Sequence, residues 1–352
     1  HSGTLPWSES LRGAFVADAG NQFSFGTYRR LCQLMMIPAA VVLVGFLLWQ
    51  AARGSPGSHL LIVAGVFAAK ITWAIAEVGW GTYQRRERLD LLAGTVGLRA
   101  LTLILPFAAL LPLFRWLCDS GRMVSPRLAE GTALAILLHA VGVLLVLVLF
   151  DGPRVTNPQL WNSTATRKDL GALFVQTFPL GVVALIINLC DTLPRIVIES
   201  QPGGKAQLGY FGSLAYITLA GNLVIIQAAA AAANRFSLYY QTNVRAFVRL
   251  GGRLMAAATV VGVVVLVSAW LFGGWILRVL YTAEFSRYEG EFRIIVLAHS
   301  LALLTNVFGT ATTQMRLFWV QVPVQIVTLL STAAAALLLI PGENLVRGAA
   351  YT

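Results

Sequence analysis

KITWAIAEVGWGTYQRRERLD, residues 70–90, decides the fold class: it sets Lys70 and Glu77 inside an apolar run and then releases RRER. A lone charge at the centre of a bilayer helix costs about 2.5–3.5 kcal/mol, so a charge kept there faces a partner or a polar interior. A burst of arginines just beyond the run is what a cytoplasmic loop carries. The rest of the chain agrees. Of its 352 residues, 57% are hydrophobic and 12% charged, and the mean hydropathy is +0.73; a soluble domain carries roughly 25% charged residues. The apolar residues fall in blocks of roughly 18–25, the length of helix that crosses about 30 Å of hydrocarbon. The chain therefore reads as an all-α, multi-pass membrane protein.

Nine spans are expected, at 31–50, 59–81, 92–114, 132–150, 171–190, 209–233, 254–277, 294–314 and 317–340. The hydrophilic stretches between them are too short to hold a soluble catalytic domain, so function rests on the helices and no enzymatic activity is expected. Counted on alternate sides of these spans, one side has a net charge of +8 and the other +2, with Lys70, Glu77 and Arg99 left inside. Positive-inside logic puts residues 1–30, the RRER loop, 151–170 and 234–253 in the cytoplasm. The same count explains the overall charge of +11 without nucleic acid.

The proline- and charge-bearing stretch 151–170, with Trp161 as an interfacial anchor, reads as a linker between an N-terminal lobe, 1–150, and a C-terminal lobe, 171–352. GTYQRRERL at 81–89 and GTATTQMRL at 309–317 form a faint repeat between the lobes, as in transporters built from repeated bundles. With no initiator methionine, and with ENLVRGAAYT reading as the start of a further helix, the chain reads as part of a longer protein.

Lys70 and Glu77 are two turns apart on one helix face. Arg99, about 12 Å into the next span, reaches the depth of Glu77, and the two are placed to pair across the hairpin. On one reading Glu77 and Arg99 form a structural ion pair and Lys70 reaches for a headgroup. On the other, Lys70 lines a cationic cavity, because a stem of about 6 Å does not reach water from the midplane. In the second lobe Asn188, Asp191 and Arg195 close the fifth span beside Pro179 and Pro194; Asp191 and Arg195, spaced i, i+4, are either a surface pair or the flank of a cavity exit.

His139 and His299 have no companions at ligand spacing, so they read as core or lumen residues and no metal is expected. The odd cysteine count, Cys32, Cys118 and Cys190, gives neither a disulfide framework nor a metal motif. GGKA at 203–206 lacks the spacing of a phosphate-binding loop, so no nucleotide cofactor is expected. The sequon NST at 162–164 falls on the cytoplasmic side, and the tryptophans read as interface belts and packing.

Three stretches taken together resemble a known family. AEVGWGTYQRRERLD with GLRALTLILPF, DTLPRIVIES with LGYFGSLAYITLAGN, and RFSLYYQTNVRAFVRLGGRL with LFGGWILRVLYTAEF are similar, in turn, to the fourth-helix exit and fifth-helix entry, the seventh and eighth helices, and the eighth-to-ninth loop and ninth helix of bacterial polysaccharide-repeat flippases. These are the oligosaccharide-lipid branch of the superfamily that includes the multidrug and toxic compound extruders. The resemblance covers nearly the whole chain and implies a twelve-helix transporter of two six-helix lobes, with about nine complete helices here, two missing before residue 1 and part of one or two after residue 352. It implies a carrier in the bacterial inner membrane that moves undecaprenyl-pyrophosphate-linked oligosaccharide repeats outward by alternating access, for O-antigen, capsule or exopolysaccharide synthesis. Its partners would be that substrate, membrane lipids and the polysaccharide polymerase and chain-length machinery. Lys70, Arg99 and Arg195 are the candidate substrate-binding cations, with Glu77, Asp191 and Asn188 as coupling or gating groups. The alternatives are a drug/cation antiporter of the same superfamily, whose cavity should be dominated by acids, and an integral-membrane glycosyltransferase or O-antigen ligase, which should carry a large outer loop or an acid cluster with metal.

Overall fold

The computed structural model describes residues 6–119, 127–155, 166–341 and 345–352, which are helical apart from short turns. Among them, eight helices are long and apolar enough to cross a membrane, and the remaining expected span, 209–233, lies inside one continuous helix. Trp161 and the 162–164 sequon lie outside the described residues. The chain forms two compact units, Ser2–Gln176 and Thr177–Thr352.

The first unit begins with α1 (Pro6–Ala17), which hydropathy alone passed over because it is too short to span. Its Leu11, Ala14, Phe15 and Val16 are nevertheless buried. Phe15 reaches the backbone of α3 (Gly57–Arg85) only because residue 81 is glycine: a Cβ there would stand 2.6 Å from the Phe15 ring. The turn after α1 is held by Asp18, which accepts from the backbone N–H groups of Gln22 and Phe23 at 2.9 and 3.0 Å and from Tyr28 Oη at 3.2 Å. Arg85 ties the end of α3 to this turn by donating to Asp18 O and, at 3.1 Å, to Asn21 Oδ1. Then α2 (Phe25–Ala52), capped by Ser24, presents Val41, Val42 and Leu48 outward, as a lipid-facing helix does.

Small residues set the packing of α3, α4 (Leu89–Asp119) and α5 (Arg127–Leu145). Side chains added at Gly65 and Gly142 would meet Ile136 and Thr102 at 2.8 and 2.7 Å, the close backbone approach by which helices associate in lipid. At its end α5 does not stop where the sequence suggests. It passes into a π-helical turn (Val146–Asp151) and one further α turn (Gly152–Val155), so residues 151–155 of the expected linker are helical, as are 167–170. Pro153 stands in the first turn of that last segment, where a proline is tolerated.

The second unit contains most of α6 (Arg167–Ser200), then α7 (Gly204–Thr242), α8 (Val244–Leu280), a 3₁₀ turn (Ala283–Tyr288), α9 (Glu289–Gln314), α10 (Phe318–Leu339) and α11 (Leu345–Ala350). The buried face of α8 is a stripe of Ala258, Gly262, Ala269, Gly273 and Leu277. Small side chains let it lie against α9, with Gly262 near Ser300 and Gly273 near Glu289 and Phe292. Phe292, Ile295 and Val296 complete a core with Leu214 and Val346.

The repeated sequence marks two turns with the same hydrogen bonds. Arg86, Glu87 and Arg88 donate to Thr82, Gln84 and Tyr83; Met315, Arg316 and Leu317 donate to Ala311, Thr313 and Thr312. In each, one residue takes a left-handed backbone, Glu87 (φ 54°) and Arg316 (φ 60°). The α2–α3 turn repeats the pattern around Gly54. It is therefore a general helix-ending motif of these hairpins, and the shared letters report turn chemistry.

Candidate functional site

The polar residues of the first unit converge by helical spacing. Trp73, Glu77 and Trp80 stand at i, i+4 and i+7 on α3, and Thr95, Arg99 and Thr102 do so on α4, so each trio occupies one face. Arg99 is completely buried. Its Nη2 donates to Asp151 Oδ2 at 2.9 Å, Thr95 Oγ1 donates to the same oxygen at 3.0 Å, and Tyr83 Oη donates to Oδ1 at 3.5 Å. The guanidinium carbon lies 5.2 and 4.8 Å from the ring centroids of Trp73 and Trp80, which are themselves edge-on to each other. One N–H group of Arg99 thus serves the carboxylate, while two π faces take the rest of the cation, a combination arginine supports and lysine does not.

Asp151 occupies the last position of the π turn. A π turn accommodates one residue more than α geometry, which rotates the succeeding helical turn by about 100° relative to an uninterrupted helix. Sequence reading left Asp151 in the linker and missed it. The available signal was an acid directly after an apolar span that is antiparallel to the one bearing Arg99.

Glu77 is buried too, but the expected Glu77–Arg99 pair is replaced by contacts to α1: Ser8 Oγ donates to Oε2 at 2.8 Å and Arg12 Nη1 stands 3.9 Å from Oε1. Glu77 remains near enough to Arg99 to act on it electrostatically. Among the described residues, these contacts set the acids Glu77 and Asp151 against the arginines Arg12 and Arg99. One turn beyond Arg99 on α4, Thr102 bonds to His139 Nδ1 at 3.0 Å, linking α4 to α5. Lys70 differs from all of these. It lies at the midpoint of α3, half-buried on the stripe of Trp73 and Glu77, with no hydrogen bond or ion pair to any described residue.

In the second unit, Asp191 and Arg195 are half-buried on α6, and His299 of α9 lies within electrostatic reach of Asp191. His299, read from sequence as a core or lumen residue, thus stands beside an acid. Asn188 is exposed and its amide bonds back to Ala184 O at 2.8 Å, so no hydrogen bond joins it to Asp191. No cluster of three metal-binding side chains occurs among the described residues.

No family profile matches the chain. The capsular polysaccharide biosynthesis protein CapF of Staphylococcus aureus is 24% identical over 287 residues, 79% of this chain and 67% of CapF. An outward-facing multidrug-resistance transporter of the MATE family, in the MOP superfamily, superposes with a TM-score of 0.61 at 15% identity, covering 99% of this chain and 78% of the transporter. A MATE protein solved with MaL6 gives 0.60 at 14% identity, over 98% and 79%. These likenesses bear out the resemblance drawn from the sequence, the structures in fold and the relative in sequence.

Proposed function

From a chain with the fold of MOP-superfamily transporters and sequence kinship to a capsular polysaccharide biosynthesis protein, we infer a carrier that moves lipid-linked oligosaccharide repeats across the bacterial inner membrane by alternating access. One observation carries the substrate assignment: Lys70, at the middle of α3, has no carboxylate to neutralise it among the described residues. An uncompensated cation at that depth is expensive, and the diphosphate of a lipid-linked sugar is an anion of matching chemistry. Hydrated sugars do not cross hydrocarbon unaided, and a wet cavity lined by such a cation lowers that barrier.

Arg195 extends the same role to the second unit. Arg99, paired with Asp151, would serve after that pair opens and meanwhile orders the face of α3 on which Lys70 stands. Glu77 and Asp191 act as coupling or gating acids, with Asn188 at the surface beside Asp191. The reaction is transport without bond chemistry, and its driving force is an ion gradient, the membrane potential or consumption of the product.

Drug or cation antiport is the second reading, supported by the multidrug-resistance name of a fold neighbour and by the buried acids Glu77 and Asp151. Both acids already face an arginine, which leaves little negative charge for a cationic drug. The deciding experiment reconstitutes the full-length protein in proteoliposomes and measures translocation of lipid-pyrophosphate oligosaccharide beside uptake of a cationic dye. The carrier moves the first and ignores the second; the reverse result establishes the antiporter.

A further inference from the structure

The 37-residue helix α8 is far longer than a bilayer requires, and its excess is written on one face. Arg245, Arg249 and Arg253 follow at i, i+4 and i+8, all exposed and without hydrogen bond or ion pair to any described residue. At 100° per residue they fall within about 80° of arc. The same arc continues as Val260, Val263, Val267 and Leu271, exposed by 63, 52, 48 and 69%, and Trp270, exposed by 59%, lies about 20° beyond its edge. Trp275, beside that arc, is 65% exposed. The buried stripe from Ala258 to Leu277 occupies the opposite side.

This face measures a membrane. From Arg253 to Trp270 and Trp275 is about 26 and 33 Å at 1.5 Å per residue, bracketing the roughly 30 Å hydrocarbon core, with tryptophans at the far boundary where interfacial aromatics belong. Arg253 then stands at the near edge of the acyl chains, with Arg249 and Arg245 about 6 and 12 Å further out, through the headgroup layer and beyond. The start of α8 is tied to α7. Asn243 Oδ1 caps it by accepting from Ala246 N at 3.0 Å, and Phe247 packs against Phe236 and Tyr240 of α7 at 5.3 and 5.7 Å between ring centroids.

We propose that Arg245, Arg249 and Arg253 form a docking ladder for the phosphates of an anionic glycerophospholipid, held on the exposed face of α8. Three forks at successive turns suit phosphate oxygens, which arginine binds bidentately. The helix itself carries no acid to compete, and the apolar stripe beyond Arg253 offers a track for the acyl chains. The site is separate from the cations assigned to transport and requires only that α8 spans the bilayer.

The test is lipid retention by the purified full-length protein, read by native mass spectrometry with phosphatidylglycerol or phosphatidylcholine added to the micelles. Wild type retains phosphatidylglycerol preferentially. The R245Q/R249Q/R253Q protein loses that preference by about a hundredfold, since three basic residues near the surface contribute about fivefold each, while the R245K/R249K/R253K protein keeps part of it. Should the glutamine protein not insert, wild type alone decides, because a phosphate-based preference falls between about 0.05 and 0.5 M salt. A phosphatidylglycerol preference that survives glutamine substitution, or that ignores salt, overturns the proposal.

Discussion

At the scale of single residues, the Arg99–Asp151 pair is costly to half-remove and cheap to replace. Taking away one partner strands a charge in a site where Arg99 is fully buried and Asp151 only 2% exposed, which costs about 3–5 kcal/mol. Asp151→Ala is therefore expected to lower the thermal unfolding midpoint strongly in detergent, while Arg99→Leu combined with Asp151→Leu recovers most of the loss. A double variant as unstable as the single one would mean that the two residues do not act as a pair. Glu77 makes a weaker case of the same physics: Ser8→Ala removes one hydrogen bond to a charged group, about 1.5–3 kcal/mol, and should be milder than Asp151→Ala. What was legible here was that charges inside a span must be answered. Which group answers them was not, because Asp151 precedes Gly152 and Pro153, which read as a helix stop, and Ser8 and Arg12 sit on a helix too short for hydropathy to find.

Among elements, hydropathy placed each span on a helix, because each apolar block is bounded by charge, proline or glycine, but left the ends short by up to ten residues, as for 254–277 within Val244–Leu280. It expected 59–81 and 92–114 where α3 and α4 run Gly57–Arg85 and Leu89–Asp119. The helices outlast the apolar blocks because their last turns are closed by backbone bonds, which composition does not report. Packing faces were less legible, since glycines that permit contact and glycines that permit nothing look alike in sequence. Gly142→Val would drive new atoms into Thr102 and should cost about 1–3 kcal/mol. Gly97→Ala, in the exposed middle of α4 with nothing within 4 Å, should instead stabilise by about 0.5–1 kcal/mol. Paired thermal melts decide it; similar shifts for the two would contradict the packing of α4 on α5.

For the whole molecule, an all-helical, multi-pass membrane fold was readable from charge, block length and three family-like stretches, whereas the use of each cation was not. Lys70, Arg99 and Arg195 look equivalent in a linear sequence, yet Arg99 is neutralised by Asp151 while Lys70 is not. Orientation is a prediction at this scale: cysteines placed at Arg86 and Arg249 in a background lacking Cys32, Cys118 and Cys190 should react with an impermeant maleimide only from the cytoplasmic side, and one at Gly203 only from the other. The central claim is that the midpoint of α3 faces a water-filled path occupied by the diphosphate of a lipid-linked sugar. Lys70→Cys in reconstituted full-length protein, treated with a membrane-impermeant cationic thiol reagent, reads that path: position 70 should be labelled from the aqueous phase, and a position 70 that stays unreactive in every state would overturn the water-filled cavity.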